Sequence, residues 1–437
     1  PAPTPPPSPA DEDEVPAARK TTAAVSALTG KINLPKDGGR WPAKFAPAAA
    51  KVEGKAVRVT TDRGGRFLAV SPESGRFVLA EPGDRRDAKS ASAPYTRVAL
   101  GDLTTGKVLG EWELKDTLVP LDVSPDGTRF LVKTMWHDAK LTLVTVTPDF
   151  GLVRKTFVAH DRIILNPTEA PGNQAELHVR WAAFVGNDRV ASAAEGGQVS
   201  VFRVAGPTKV GHLDGTPGLT PCVTPDRKRL FAHAGGKLVL IDPAEGEAIA
   251  TRDWPLPSGP KNLAASPDGG RLACAKEDRV RFLDLKTGDF WDQVMPELGD
   301  HAMDPKYFSW AGAYLVQGRK VFDPALAFPV WSHDHPAAEA YTPRQVWAAV
   351  RVSPPFQKAG EPVVVSVRAY DVTPPDLDGV VEAGKARPGL YVLRPGAAVR
   401  ADDNHVGRGI RSSQTCCGRK IRRHHPAPAS HRRRTCR

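Results

Sequence analysis

The sequence predicts an all-β fold, a propeller of four-stranded antiparallel blades. Three observations carry that prediction. Short apolar runs alternate with turn signals, most clearly over 261–292. Strands at 263–265, 272–275 and 280–285, and a fourth beginning at Phe290, are separated by Ser266-Pro267-Asp268-Gly269 and Lys286-Thr287-Gly288. In such turns Pro presets φ, Asp bonds its own backbone and Gly tolerates positive φ, and turns this close together favour a meander over βαβ units. The same unit stands just upstream: Pro225, Leu230, Asp242 and Gly246 lie 42 residues before Pro267, Leu272, Asp284 and Gly288. Helix-period runs are scarce, whereas Pro (42) and Gly (39) are plentiful, which suits many short strands. A four-strand unit repeating at this interval cannot bury both faces of its sheet alone, so neighbours must stack around an axis.

In chain order, residues 1–50 form a Pro-rich and acidic linker followed by a segment without assignment. Its first 20 residues carry Asp11, Glu12, Asp13 and Glu14 and too few apolar groups to bury, so they read as a semi-rigid linker with something tethered upstream. The three methionines are Met135, Met295 and Met303, so the chain reads as a fragment or processed product. The propeller is expected over 51–375. Its first blade runs through 67–70, the turn 71–75, 77–80 and 97–100, then Asp102 and Gly106. The second has Ser124-Pro125-Asp126-Gly127, 130–133 and 141–146. The third is worn: Val185-Gly186-Asn187-Asp188 replaces the Pro turn and Arg203 replaces the recurring Asp. The fourth and fifth are the pair described above. The sixth keeps 314–316 and 321–324. The seventh uses 346–350 and 363–370, with Asp371 as its marker, and a segment such as 56–59 is a candidate to close the ring. The count is seven blades, with six and eight as alternatives. Residues 376–403 read as extra strands or the start of a further module.

The last 34 residues, 404–437, carry ten Lys or Arg and no Asp or Glu, hence +10 of the formal +11. They read as a basic disordered tail, with out-of-frame translation as one account of their composition. The propeller itself is close to neutral and is no nucleic-acid platform. The tail lacks the interleaved aromatics that stack bases, so no specific nucleic acid is expected. No apolar run approaches the ~18 residues of a membrane span. Five cysteines make no disulfide framework; Cys222 and Cys274 fall on predicted strands as small core residues.

The Ser-Pro-Asp-Gly turns, the apolar-Asp-apolar third strands and the Thr-Gly turns resemble the bacterial WD-repeat-like β-propellers, over roughly 55–375. The resemblance implies architecture and, as an expectation, a bacterial protein, cytoplasmic or anchored through an upstream segment. The Asp of the Trp-Asp dipeptide is kept at Asp102, Asp242, Asp284, Asp323 and Asp371, but the residue before it is never Trp. Gly211-His212 is isolated rather than periodic. The blades are therefore expected to lack the family's His-Ser-Trp-Asp network.

Candidate chemistry is sparse. His333-Asp334-His335 places two imidazoles on one side of an extended segment, but no third ligand is near. Cys416, Cys417, His424, His425, His431 and Cys436 lack zinc-site spacing. There is no nucleophile elbow, phosphate loop or zincin motif. No cofactor and no metal are expected. The expected function is a non-catalytic scaffold, a monomeric propeller binding a protein or peptide, as one domain of a larger regulatory or anchored chain. The rival is a propeller enzyme or small-ligand binder using the central channel. The innermost strands, such as 182–184 and 263–265, are small and apolar and favour the scaffold, since fold alone licenses neither.

Alternation of strand direction puts the short Pro-Asp-Gly and Thr-Gly turns on one face. The longer connections 81–94, 134–140, 161–176, 332–344 and 353–361 fall on the other. Long loops on a rigid scaffold are where recognition usually sits. Trp136 is the expected anchor there, ringed by Arg85, Arg86, His137, His160 and Arg162, because Trp, Tyr and Arg dominate interface energies.

Overall fold

The alternating turn and strand signals resolve into 28 strands in seven four-stranded antiparallel sheets arranged as a β-propeller, in a computed structural model. It describes residues 30–85, 93–135, 139–160, 177–256, 262–295, 298, 308–317, 320–325, 327–332, 337–352 and 361–372. The first strand is β1 (Val57–Thr61). Blade 1 follows as β2 (Phe67–Ser71), β3 (Arg76–Arg85), β4 (Ala93–Asp102) and β5 (Lys107–Lys115). Blade 2 is β6 (Leu118–Val123), β7 (Arg129–Thr134), β8 (Lys140–Val146) and β9 (Leu152–Val158). Blade 3 is β10 (Val179–Val185), β11 (Arg189–Ala194), β12 (Gln198–Arg203) and β13 (Thr208–Asp214). Blade 4 is β14 (Cys222–Val223), β15 (Leu230–Ala234), β16 (Lys237–Asp242) and β17 (Glu247–Asp253). Blade 5 is β18 (Asn262–Ala265), β19 (Arg271–Lys276), β20 (Arg279–Asp284) and β21 (Phe290–Val294). Blade 6 is β22 (Phe308–Ala311), β23 (Tyr314–Gln317), β24 (Lys320–Asp323) and β25 (Phe328–Ser332). Blade 7 is β26 (Ala338–Tyr341), β27 (Gln345–Arg351) and β28 (Val363–Asp371), completed by β1 as its outermost strand.

The strand period explains the core. Along β19, Leu272 and Cys274 face blade 4 while Ala273 and Ala275 face blade 6, and all four are buried. Successive side chains of a strand point to opposite sides of its sheet. A central strand flanked by blades on both sides therefore reads as an unbroken apolar run rather than an alternation. Each of the seven blade-to-blade junctions has its own apolar cluster, so the core is a set of radial seams. Cys274 is a buried free thiol, as expected of a small core residue; Cys222 is only half-buried.

Ring closure uses the segment the sequence suggested. β1 pairs antiparallel with β28 from Val57↔Val367 to Thr61↔Val363. Val57 and Val59 are fully buried against Trp347 and Val365. Each contributes about 1.5–3 kcal/mol of apolar burial to a joint that links the two ends of the ring.

Two sequence readings need correction. Residues 332–344 are not simply a connection, because β26, the inner strand of blade 7, lies inside them. Its Ala-Glu-Ala-Tyr has one strand-favouring residue, Tyr341, and no β-branched one, so its strand signal is weak. Similarly, 81–94 is largely ladder: β3 and β4 stay paired out to Arg85↔Ala93.

The recurring Asp and Gly of the repeat have one geometric meaning each. Asp102, Asp242, Asp284 and Asp323 close their third strands and accept from the backbone N–H two residues on, at 2.7–2.9 Å. The residue four beyond each Asp, namely Gly106, Gly246, Gly288 or Ala327, donates back to the Asp carbonyl at 2.9 Å. All four have positive φ, and Ala327 adopts it without being glycine. On the turns between first and second strands, Ser124 and Ser266 hydroxyls donate to Asp126 and Asp268 at 2.6 Å. Gly270 N–H donates to Asp268 as well, at 2.9 Å.

Residues 30–50, the described part of the unassigned segment, continue with 51–56 as a strap: Lys31 and Gly39 bridge the outer strands of blades 3 and 4 at His212 and Ala250, and residues 45–55 cross the short-turn face. Ile32 is buried in the seam between blades 3 and 4, and Phe45 in the seam between blades 4 and 5. Ala48 N–H donates to Pro267 O at 2.8 Å, Gln345 Nε2 donates to Val52 O at 3.1 Å, and Lys55 N–H donates to Leu103 O at 2.6 Å. Pro267, Gln345 and Leu103 all belong to short turns or their edges, so the strap crosses from blade 5 past the channel mouth to blades 7 and 1. Among the described residues no helix is long and apolar enough to cross a membrane.

Asp268→Ala removes the acceptor that organises its turn while leaving the seams intact. It is expected to lower unfolding free energy by about 1 kcal/mol. Urea denaturation of the variant and wild type checks this, and an unchanged midpoint would mean that Gly269 and Pro267 hold the turn without it.

Candidate functional site at the central channel

The inner strands of all seven blades enclose an axial cavity of ≈ 290 Å³. Its wall is mostly small and apolar, as the sequence implied: Leu68, Val70, Ala182, Ala183, Leu263 and Ala265 line it. A cluster of charges at the short-turn mouth breaks that pattern. Arg227 reaches from the first turn of blade 4 past blade 3 to Asp122 on β6, with which it makes a close ion pair. Its other terminal nitrogen lies 3.5 Å from Glu73 on the first turn of blade 1. It also donates to Phe184 O at 3.3 Å, while Phe184 N–H donates to Asp122 at 2.8 Å. One guanidinium thus touches three other blades.

The backbone aims this side chain. Thr224-Pro225-Asp226-Arg227 is the Ser-Pro-Asp-Gly turn with Arg in the glycine position. Gly127 and Gly269 have φ of 69° and 70°, and Arg227 has φ of 55° in the same left-handed region. The departure from Gly was the available sequence signal, because an L-residue there carries a conformational cost of about 1–2 kcal/mol. The interaction across the ring repays it.

Burial opposes ionisation of Asp122 and outweighs the attraction of Arg227 and the Phe184 N–H, raising its carboxyl to about 6. Burial also opposes the charge on Arg227, but Asp122 and then Glu73 more than offset it. At the opposite end of the channel, Lys133 donates to Val179 O at 2.8 Å and Arg180 pairs with Glu195 at 2.7 Å. Among the described residues no three His, Cys, Asp or Glu side chains converge as a metal site requires.

The residues chosen from sequence are distributed differently. Trp136, His137, Arg86 and Arg162 lie outside the described residues, as do His333, His335 and the whole tail. Arg85 is the last residue of β3, its backbone opposite Ala93. His160 is only 1% exposed. Its ring sits 2.9 Å from Ser192 Oγ and 3.2 Å from Gln198 Oε1, so it is turned into blade 3 rather than out with a loop. Blade 4 has the same arrangement with the partners exchanged: His233 lies 2.7 Å from Thr216 Oγ1 and 2.9 Å from Trp254 O. Burial lowers the affinity of His233 for a proton. Two blades therefore keep a hydroxyl–imidazole link between the blade entry and the second strand, a two-residue contact rather than the four-residue His-Ser-Trp-Asp network. The sequence hid it because the histidine changes strand between the two blades.

No known protein-family model matches this chain, and no curated protein matches it.

Two substitutions test the channel cluster. Arg227→Gly relieves the turn but leaves Asp122 buried without its counter-charge, a loss of about 3–5 kcal/mol against a gain of about 1–2. The expected result is a net destabilisation of about 3 kcal/mol in denaturant titrations; a stabilised variant would show that turn strain dominates. Asp122 binds its proton more tightly in the folded chain than at its ordinary value of 3.8. The folded state then holds more protons between those two values, so stability falls as pH rises. The stability of wild type relative to Asp122→Asn should be greatest below about pH 4 and fall as pH rises through about 6. A difference that is flat with pH would remove the assignment.

Proposed function

We propose that this chain is a non-catalytic scaffold of the WD-repeat-like kind, a monomeric propeller that binds another protein or a peptide as one domain of a larger regulatory or anchored chain. The observation that supports it is how the channel uses its charges. Arg227 is engaged by Asp122, Glu73 and a backbone carbonyl at once, and Arg180 is engaged by Glu195. Charges engaged by one another, across blades at Arg227 and within blade 3 at Arg180, serve the scaffold and are poorly placed to act on a substrate. Residues 45–55 of the strap cross the short-turn face, and this reading takes the opposite face, to which the sequence assigns the longer connections with Trp136 and Arg85, as the surface for a partner.

One observation favours a second reading, a small-ligand binder or enzyme working in the channel. A carboxyl poised near 6 in an axial cavity is the kind of group that active sites contain. The two readings separate in one experiment. The wild-type chain is used as bait, and a discrete protein recovered from lysate is identified. Trp136→Ala with Arg85→Ala is expected to lose that protein at least tenfold while keeping its melting temperature, and Asp122→Asn is expected to retain it. Undiminished capture by the folded double variant would move the surface elsewhere; loss through Asp122→Asn alone would favour the channel.

A further inference from the structure

The outer strand of blade 4 puts a small side chain, Ala250, into the seam with blade 5, beside the buried Phe231, Leu240 and Trp254. In blade 5, Phe282 on the third strand faces Trp291 on the outer strand, and the rings stack at 5.3 Å. The matching pair in blade 4, also two residues before the strand-ending Asp, is Leu240 and Ala250. Sheets radiating from an axis diverge outward, so an alanine at this position leaves a groove where blade 5 has its own indole.

The strap fills that groove with two aromatic rings. Trp41 stacks on Phe231 at 6.4 Å and 15°, and Phe45 packs on the same ring at 5.2 Å. Trp41 Nε1 donates to Thr251 O at 2.9 Å, and the Arg252 guanidinium covers the indole at 4.9 Å. Between its anchors the strap is largely exposed; Ile32, Phe45 and Ala48 are its buried hydrophobic side chains over 30–50. A segment held by a few side-chain anchors and a row of main-chain bonds has the form of a bound peptide rather than of a blade.

We infer that the blade 4–5 groove is a peptide-docking site for an extended segment with bulky aromatic side chains four residues apart, and that the strap is its detachable occupant in cis. This deepens the peptide-binding reading above and rests on it for partner class, but none of the residues that form the groove belongs to the Trp136 candidate set. Loss of one leaves the other standing, so their failures are distinguishable.

The test uses the full chain carrying Trp41→Ala and Phe45→Ala, with a fluorescent peptide of residues 36–50 supplied in trans. The peptide should bind this variant at least tenfold more tightly than it binds wild type, whose own strap competes. Adding Ala250→Trp, which copies blade 5, should abolish that binding. A folded double variant that does not bind, or binding indifferent to Ala250→Trp, overturns the inference. Should the double variant fail to fold, hydrogen exchange on wild type decides. The Ala48 and Thr251 amides, which bond across the strap, should exchange at least tenfold faster than the amides of β19. Exchange at the β19 rate would make the strap an integral part of the fold and overturn the proposal.

Discussion

Every blade of this molecule has two apolar faces, and that constraint governs the rest. A four-stranded sheet such as β18–β21 sends Leu272 and Cys274 one way and Ala273 and Ala275 the other. One neighbour can cover only one of those faces. A row of such sheets ends with an uncovered face unless it curves back on itself, so the ring must close. This is why β1, before blade 1 in sequence, is the outer strand of blade 7. The two ends of the propeller are joined by a five-residue pairing and by the Val57 and Val59 side chains. Where the seven sheets meet at the axis, small residues such as Ala182, Ala183, Ala264 and Ala265 are frequent, beside Trp181, Phe308 and Tyr341.

Once the seams are fixed, the turns set the two faces. At many of its strand ends the chain reverses through a residue with positive φ, usually glycine. Arg227 and Ala327 show that the position demands a conformation rather than a residue type. Ala327 gains packing against the apolar cluster between blades 5 and 6. Arg227 gains a route to Asp122 and Glu73, and so converts a turn into a link between four blades. The close juxtaposition of those charges explains how a buried carboxylate is accommodated in an otherwise apolar channel.

The fold was legible in the sequence because its two determinants, a fixed repeat and a turn chemistry, are local and periodic. The blades recognised through Asp102, Asp242, Asp284, Asp323 and Asp371 all exist, and the worn third blade keeps its shape with Gly186 supplying the positive φ of the missing Pro-Asp-Gly turn. What escaped was set by partners distant in sequence. β26 is a strand because β27 and the axis lie beside it, although Ala-Glu-Ala-Tyr has only a weak strand preference of its own. The strap has no periodicity because each anchor answers a different seam. His160 is a core residue because Ser192 and Gln198, more than thirty residues on, offer it bonds. Of the candidate site, the apolar channel wall was readable strand by strand, but the Arg227 cluster was not: its three principal members come from three blades and share no spacing.

The repeats are thus alike in backbone and unlike in what they leave uncovered. Blade 1 covers its outer region with Trp112 and blade 5 with Trp291, whereas blade 4 offers Ala250 in the seam toward blade 5 and relies there on a segment from outside the ring. A propeller whose blades were all self-sufficient would present the same edge in every direction and could not tell one from another. Small outer residues recur, as Gly110 in blade 1, Gly211 in blade 3 and Ala250 in blade 4, and the strap fills the space at two of them, with Ile32 against Gly211 and with Trp41 and Phe45 in the blade 4–5 seam. In this ring the specificity of an edge comes from what its outer strand omits, and the aromatic anchors of the strap are the complement of that omission.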